Sequence, residues 1–242
     1  MMLGKWGLLA AAAMLPLSAC NSEESPVESA MAELERQEPV FALLRQHEPS
    51  AYADMRALVE RTAREGGQPD QAQLIRRGRE IFTKAIERRV ATAPDDVVHQ
   101  MIAFIADQTQ TLEKNPPVCR DLLAGTAGDI RSSIPAELQQ RERVLYETLL
   151  ETPGRANQPV ASQEQLQKVF GGMLKDAEKA LGLTESAVGS ALDGAGPPLE
   201  VCRANGYLMR RLSQLPASEA APIFRLISRV AGEARQAPSP AG

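Results

Sequence analysis

This chain predicts an all-α fold, a helical bundle built from two related multi-helix units and stapled by one disulfide. Three observations carry that expectation. Apolar residues recur at a 3.6-residue period wherever a pattern is clear. Sustained alternation of β-branched residues bounded by hairpin turns is missing, so strands are not expected. Two cysteines, Cys119 and Cys202, each follow a Pro-Pro break at the start of an amphipathic stretch.

In chain order, residues 27 to 65 read as short helices with apolar faces through Val27, Met31 and Leu34, then Phe41 and Leu44, then Tyr52, Met55, Leu58 and Val59. Ile75, Gly78, Phe82, Ala85, Ile86 and Val90 line the next helix, and Val98, Met101, Ile102, Ile105 and Leu112 the one after it. Leu138, Leu145 and Leu149 mark another. Leu166, Phe170, Met173, Leu174, Ala177 and Leu181 form a further face, and Ile223, Leu226, Ile227, Val230 and Ala234 the last one. Pro94, Pro135 and Pro216 suit a first helical turn, where a missing N–H costs nothing. Ser162-Gln163-Glu164-Gln165 has the form of a capping box. Gly66-Gly67-Gln68-Pro69, Asn115-Pro116-Pro117 and Gly194 to Pro198 are breaks, and the tail from Ala237 is expected to fray.

The breaks also suggest a repeat. Pro116-Pro117-Val118-Cys119-Arg120 returns as Pro197-Pro198 followed by Val201-Cys202-Arg203, and Gln71-Ala72-Gln73-Leu74 parallels Gln163-Glu164-Gln165-Leu166. The expected units are 71–150 and 163–235 within one all-helical domain, 27–236, with Thr152 to Pro159 as the linker. Chance likeness between two proline-punctuated helical stretches is the alternative. Each unit alone would bury little surface, so a shared core is expected.

The first residues read as an address. Lys5 supplies a short positive region, and Leu8 to Leu17 an apolar run of about ten residues, too short for a bilayer of roughly 30 Å but suited to a signal peptide. The run ends in Leu17-Ser18-Ala19-Cys20, which resembles the lipobox of bacterial lipoproteins. The resemblance covers four residues after a fitting n-region and h-region. It implies that residues 1–19 are a signal peptide, that Cys20 receives a diacylglycerol and palmitate-type acylation, and that 20–26 form a lipid-anchored tether. Asn21 after the lipid cysteine implies the outer membrane, facing the periplasm, rather than the inner one. Buried methylenes contribute about 0.8 kcal/mol each, so two or more chains make a stable anchor. An ordinary cut after Ala19 would instead leave Cys20 as a free thiol. With Cys20 lipidated, Cys119 and Cys202 remain as an even pair in an exported chain, which reads as a disulfide, two buried free thiols being the alternative.

No chemistry is framed. A net charge of −4 argues against a nucleic-acid partner. Asp95 and His99 lie one helical turn apart, half of a metal or acid–base site, though Asp95 and Asp96 are fully explained by a helix N-terminus. His47 suits a helix C-terminus two residues before Pro49. No nucleophile elbow, phosphate loop or dinucleotide fingerprint is present, and no metal or cofactor is expected. The uneven charge feature is Arg76, Arg77, Arg79, Lys84, Arg88 and Arg89, a solvated helix face or a basic surface toward an anionic membrane or wall polymer. The expected function is therefore a non-catalytic interaction or scaffold protein of the bacterial cell envelope, held to the membrane by its lipid and meeting another envelope protein or an anionic envelope polymer. An immunity-type inhibitor of a toxin acting in the periplasm, or an envelope enzyme without a recognisable motif, is the alternative.

Overall fold

The computed structural model describes residues 25–37, 39–64, 71–127 and 130–236. Cys20, its tether up to Glu24 and the Gly66–Pro69 break lie outside the described residues. Eleven α-helices and no strand occur among the described residues. They are α1 (Pro26–Gln37), α2 (Val40–His47), α3 (Pro49–Arg64), α4 (Gln71–Thr92), α5 (Asp95–Leu112), α6 (Pro116–Leu123), α7 (Ala136–Glu151), α8 (Gln163–Leu181), α9 (Glu185–Leu192), α10 (Pro198–Ser213) and α11 (Ala217–Gln236). One 3₁₀ turn, Arg131–Ser133, precedes α7. The N-terminal stretch folds as α1–α3, with Met31, Leu34, Phe41, Leu44, Met55 and Leu58 buried as their spacing requires.

The architecture follows from how many faces of each helix are apolar. Besides the stripe read from the sequence, α5 buries Val97, Phe104 and Ala106 on other faces. A helix apolar nearly all round must sit at the centre. Accordingly α5 packs against α6, α7, α10 and α11. Helix α10 is its principal neighbour and in turn carries α8 and α9 on its far side. The α1–α3 segment covers α4 and α7. Phe82 of α4 meets Tyr146 of α7 edge to face, with ring centroids 5.3 Å apart, a geometry that suits the ring quadrupoles. The outer helix α8 is amphipathic and only partly covered: Met173 and Ala177 are buried, whereas Leu166, Phe170, Leu174 and Leu181 are half-buried.

Caps follow the sequence closely. Ser162 and Gln165 form the reciprocal capping box, the Ser162 hydroxyl accepting from the Gln165 backbone N–H at 3.1 Å and the Gln165 side-chain Oε1 from the Ser162 N–H at 2.8 Å. Pro94 and Pro135 take the N-cap position with extended ψ, one residue outside the first turn where the sequence placed them. Pro116 and Pro117 open α6, and Pro198 opens α10.

Cys119 and Cys202 are joined, with Cα atoms 5.7 Å apart and both residues fully buried. The bridge ties the first turns of α6 and α10. The two segments named as repeat units distribute their helices differently: α5 is long and α6 short, whereas α9 is short and α10 long. One turn beyond Cys202, α10 crosses α5 so closely that a Cβ on Gly206 would stand 3.1 Å from the Thr109 hydroxyl. That hydroxyl is already committed to the Ile105 and Ala106 carbonyls.

Closing a loop with a sequence separation of 83 is worth up to about 4.5 kcal/mol on the chain-entropy model, so Cys119→Ala with Cys202→Ala is expected to lower unfolding free energy by up to that amount. Two glycines should respond with opposite signs. Gly206→Val overpacks the α5–α10 crossing and should cost about 1–3 kcal/mol, whereas Gly172→Ala, where nothing lies within 4 Å of the new Cβ, should gain about 0.5–1 kcal/mol of helix propensity. Urea melts of the three variants check these values.

Candidate interaction surface

One surface of the fold lies between the C-terminal halves of α4 and α11. A helix ends with carbonyls that have no intrahelical donor. Helix α4 ends in Thr92-Ala93-Pro94 without a capping glycine, so its last carbonyls need donors from elsewhere. Arg225 of α11 supplies them. Its guanidinium donates to the Val90 carbonyl at 3.3 Å and the Ala93 carbonyl at 2.6 Å. It also donates to the Pro159 carbonyl at 3.0 Å, and it pairs with the Asp95 carboxylate at 2.8 Å. The Arg225 side chain is 1% exposed, so a charge that would be costly alone is matched on every side.

The segment expected as a linker, Thr152 to Pro159, continues through Ala161 as a strap across these two helices. The Arg155 N–H donates to the Thr92 carbonyl at 2.8 Å, and the Ala161 N–H donates to the Pro222 carbonyl at 3.1 Å. Gly154 is required by the close approach, because a Cβ there would lie 2.6 Å from the Thr92 hydroxyl. Pro222 stands inside α11, where it removes one N–H from the helical ladder.

Between the strap and the two helices lies a groove of about 450 Å³. Val90, Ala91, Val160 and Gly232 give it apolar lining, and Lys84, Glu87, Arg88, Arg229 and Glu233 charged lining. The stripe expected on α11 lies outside this groove and divides along the helix: Ile223 and Leu226 are buried, Ile227 is half-buried, and Val230 is 51% exposed. Val230 lies beyond the part of the helix that the core covers.

The six basic residues of α4 do not form one surface. Arg76, Arg77 and Lys84 are exposed. Arg79 turns inward, 6% exposed, and donates to the Gly125 carbonyl at 3.3 Å; burial lowers its pKa from the ordinary guanidinium value. Arg88 and Arg89 share the Glu48 carboxylate at 2.8 Å each, and Arg89 also donates to the His47 carbonyl. Spacing alone could not show this, since Glu48 arrives from the α2–α3 junction. His47 closes α2 as its position suggested. Asp95 and His99 do not act together: the carboxylate faces Arg225, and the buried Nε2 of His99 has no hydrogen-bond partner. Among the described residues no group of three His, Cys, Asp or Glu could hold a metal ion.

A second buried polar set lies on α7. The Tyr146 hydroxyl donates to Glu142 at 3.4 Å, and burial, followed by the nearby Glu142 charge, raises the phenol well above its usual pKa. No family model matches this chain, and neither a curated protein nor a solved structure does.

Truncating Arg225 strands three carbonyls and a carboxylate, so Arg225→Met is expected to cost about 3 kcal/mol and to speed amide exchange at Arg155 and Ala161 ahead of the rest of the chain. For Tyr146 the raised pKa means that its share of stability is present below the unfolded value of about 10 and is lost as pH rises toward the folded value. An ultraviolet titration should therefore show one tyrosine that ionises only with alkaline unfolding.

Proposed function

We propose that this chain is a lipid-anchored, periplasm-facing interaction protein of the bacterial cell envelope, attached to the outer membrane and without catalytic activity of its own. The observation that carries the reading is Leu17-Ser18-Ala19-Cys20 at the end of a charged and then apolar leader. The Cys119–Cys202 bridge supports it, since such crosslinks persist in oxidising compartments and are rare in reducing ones. No helix among the described residues is long and apolar enough to cross a membrane. Attachment in this reading rests on the acyl chains at Cys20.

The α4–α11 groove is the surface such a protein would offer. Its rim carries Lys84 and Arg229 together with Glu87 and Glu233, and Arg88 reaches it already paired with Glu48. A mixed rim suits a protein partner, whose charges can alternate, better than an anionic polymer of one sign. The apolar lining would supply the contact area, and the charges the register.

Intact-mass analysis of the chain purified from its native membranes is expected to show a mature N-terminus at Cys20 bearing acyl increments. Cys20→Ser should move the protein from the membrane to the soluble fraction. An unmodified Cys20, or unchanged fractionation of the variant, overturns the anchor. A photo-crosslinking residue at Val160 in intact cells should yield a protein adduct, and silence at that position overturns the interaction surface.

A further inference from the structure

We propose that the end of the bundle at which α1 begins is a membrane-facing surface, whose exposed arginines bind the phosphates of anionic phospholipids in the leaflet that holds the anchor. The inference rests on the lipid-anchor reading and adds to it the orientation of the domain. Contacts between helices locate that end. Arg56 of α3 pairs with Glu28 in the first turn of α1, and the Tyr52 hydroxyl donates to Glu35 near the end of α1 at 2.8 Å, so α1 and α3 run antiparallel. Glu48, just before α3, pairs with Arg88 and Arg89 near the end of α4. With only residues 65–70 between them, the packed helices α3 and α4 are antiparallel too. The start of α1, the end of α3 and the start of α4 therefore lie together.

Five exposed arginines stand there, Arg56, Arg61 and Arg64 on α3 and Arg76 and Arg77 on α4. Glu28 is taken by Arg56, and Glu60 is shared by Arg56 and Arg64. Arg61, Arg76 and Arg77 form no ion pair among the described residues. A guanidinium presents a planar fork of donors that matches two oxygens of one phosphate.

The tether selects the occupant. Cys20 stands six residues before Pro26, and a chain spans at most about 3.5 Å per residue, so an acylated Cys20 keeps the start of α1 within about 20 Å of the bilayer. Counted with Glu80, and with Glu23, Glu24, Glu65 and Asp70 outside the described residues, this end has no large net positive charge. The attraction is therefore local, guanidinium to phosphate, and it needs the high effective concentration of lipid that the tether supplies. The groove lies on the far half of α4, since Val90 is thirteen residues beyond Arg77, about 20 Å at 1.5 Å per residue. Arginines laid against the bilayer leave that groove turned toward the periplasm.

The test uses the chain purified from its native membranes and reconstituted in vesicles. A fluorescent amino acid replaces Ala63, between Arg61 and Arg64, or Ala91 in the groove. A quencher carried on lipid headgroups reports which position lies near the surface. In vesicles of about one-third phosphatidylglycerol in phosphatidylcholine, quenching at 63 should exceed that at 91 at least about threefold. Pure phosphatidylcholine, or about 0.5 M salt, should shrink the ratio to within about 1.5-fold. Arg61→Gln with Arg76→Gln and Arg77→Gln should do the same without releasing the protein from the vesicles, and with an unchanged urea melt. Near-equal quenching at the two positions, an excess that needs no anionic lipid, or a triple variant that behaves like its parent overturns the proposal. Intact mass separates the two readings. Acyl increments without the excess sink only the membrane-facing end. A bare Cys20 sinks the anchor, and coupling that thiol to a maleimide lipid then decides the present proposal by the same quenching.

Discussion

The buried guanidinium of Arg225 is the constraint on which the arrangement around the groove depends. Helix α4 stops at Thr92 without a cap of its own, and the chain turns at once into α5. One side chain from α11, which begins more than a hundred residues later, supplies donors to Val90, Ala93 and Pro159 and a counter-charge to Asp95. Four segments are therefore fixed relative to one another by a single group. The low local dielectric makes each of these bonds stronger, and makes an incomplete set expensive. That is why the strap at 152–161 is held although it has no regular structure.

A second lock operates at the other end of α5. The Cys119–Cys202 bridge joins α6 to α10, and the Gly206–Thr109 approach follows one turn later along the same helix. Covalent closure reduces the freedom of the unfolded chain, while the missing side chain at Gly206 allows α5 and α10 to come together. The two devices act on different states, the unfolded ensemble and the native contact. Between them α5 is clamped by Arg225 near its first turn and by α10 near its last.

Rigidity of this kind makes the groove a preformed surface rather than a gap. Its walls are the helices joined by Arg225, and one of its apolar edges, Val160, sits on the strap that Arg225 holds. Part of the basic character expected of α4 is spent internally: Arg79 is inside, and Arg88 and Arg89 hold the α2–α3 junction through Glu48. What reaches the surface at the groove is a mixed pattern of charge, Lys84 and Arg229 beside Glu87 and Glu233.

The sequence by itself determined the helices, because a 3.6-residue period, prolines at helix starts and a capping box are all local and each acts within one or two turns. It also pointed to the Cys119–Cys202 bridge, since these two are the even pair left once Cys20 is read as the lipid cysteine. Only the tertiary structure decided where Arg225, Glu48 and the strap go, since each partner lies dozens of residues away and no local pattern records it. The same holds for Val230, which spacing alone assigns to the buried stripe. Whether an apolar residue is covered depends on how far the neighbouring helix extends, and that length belongs to the packing rather than to the segment.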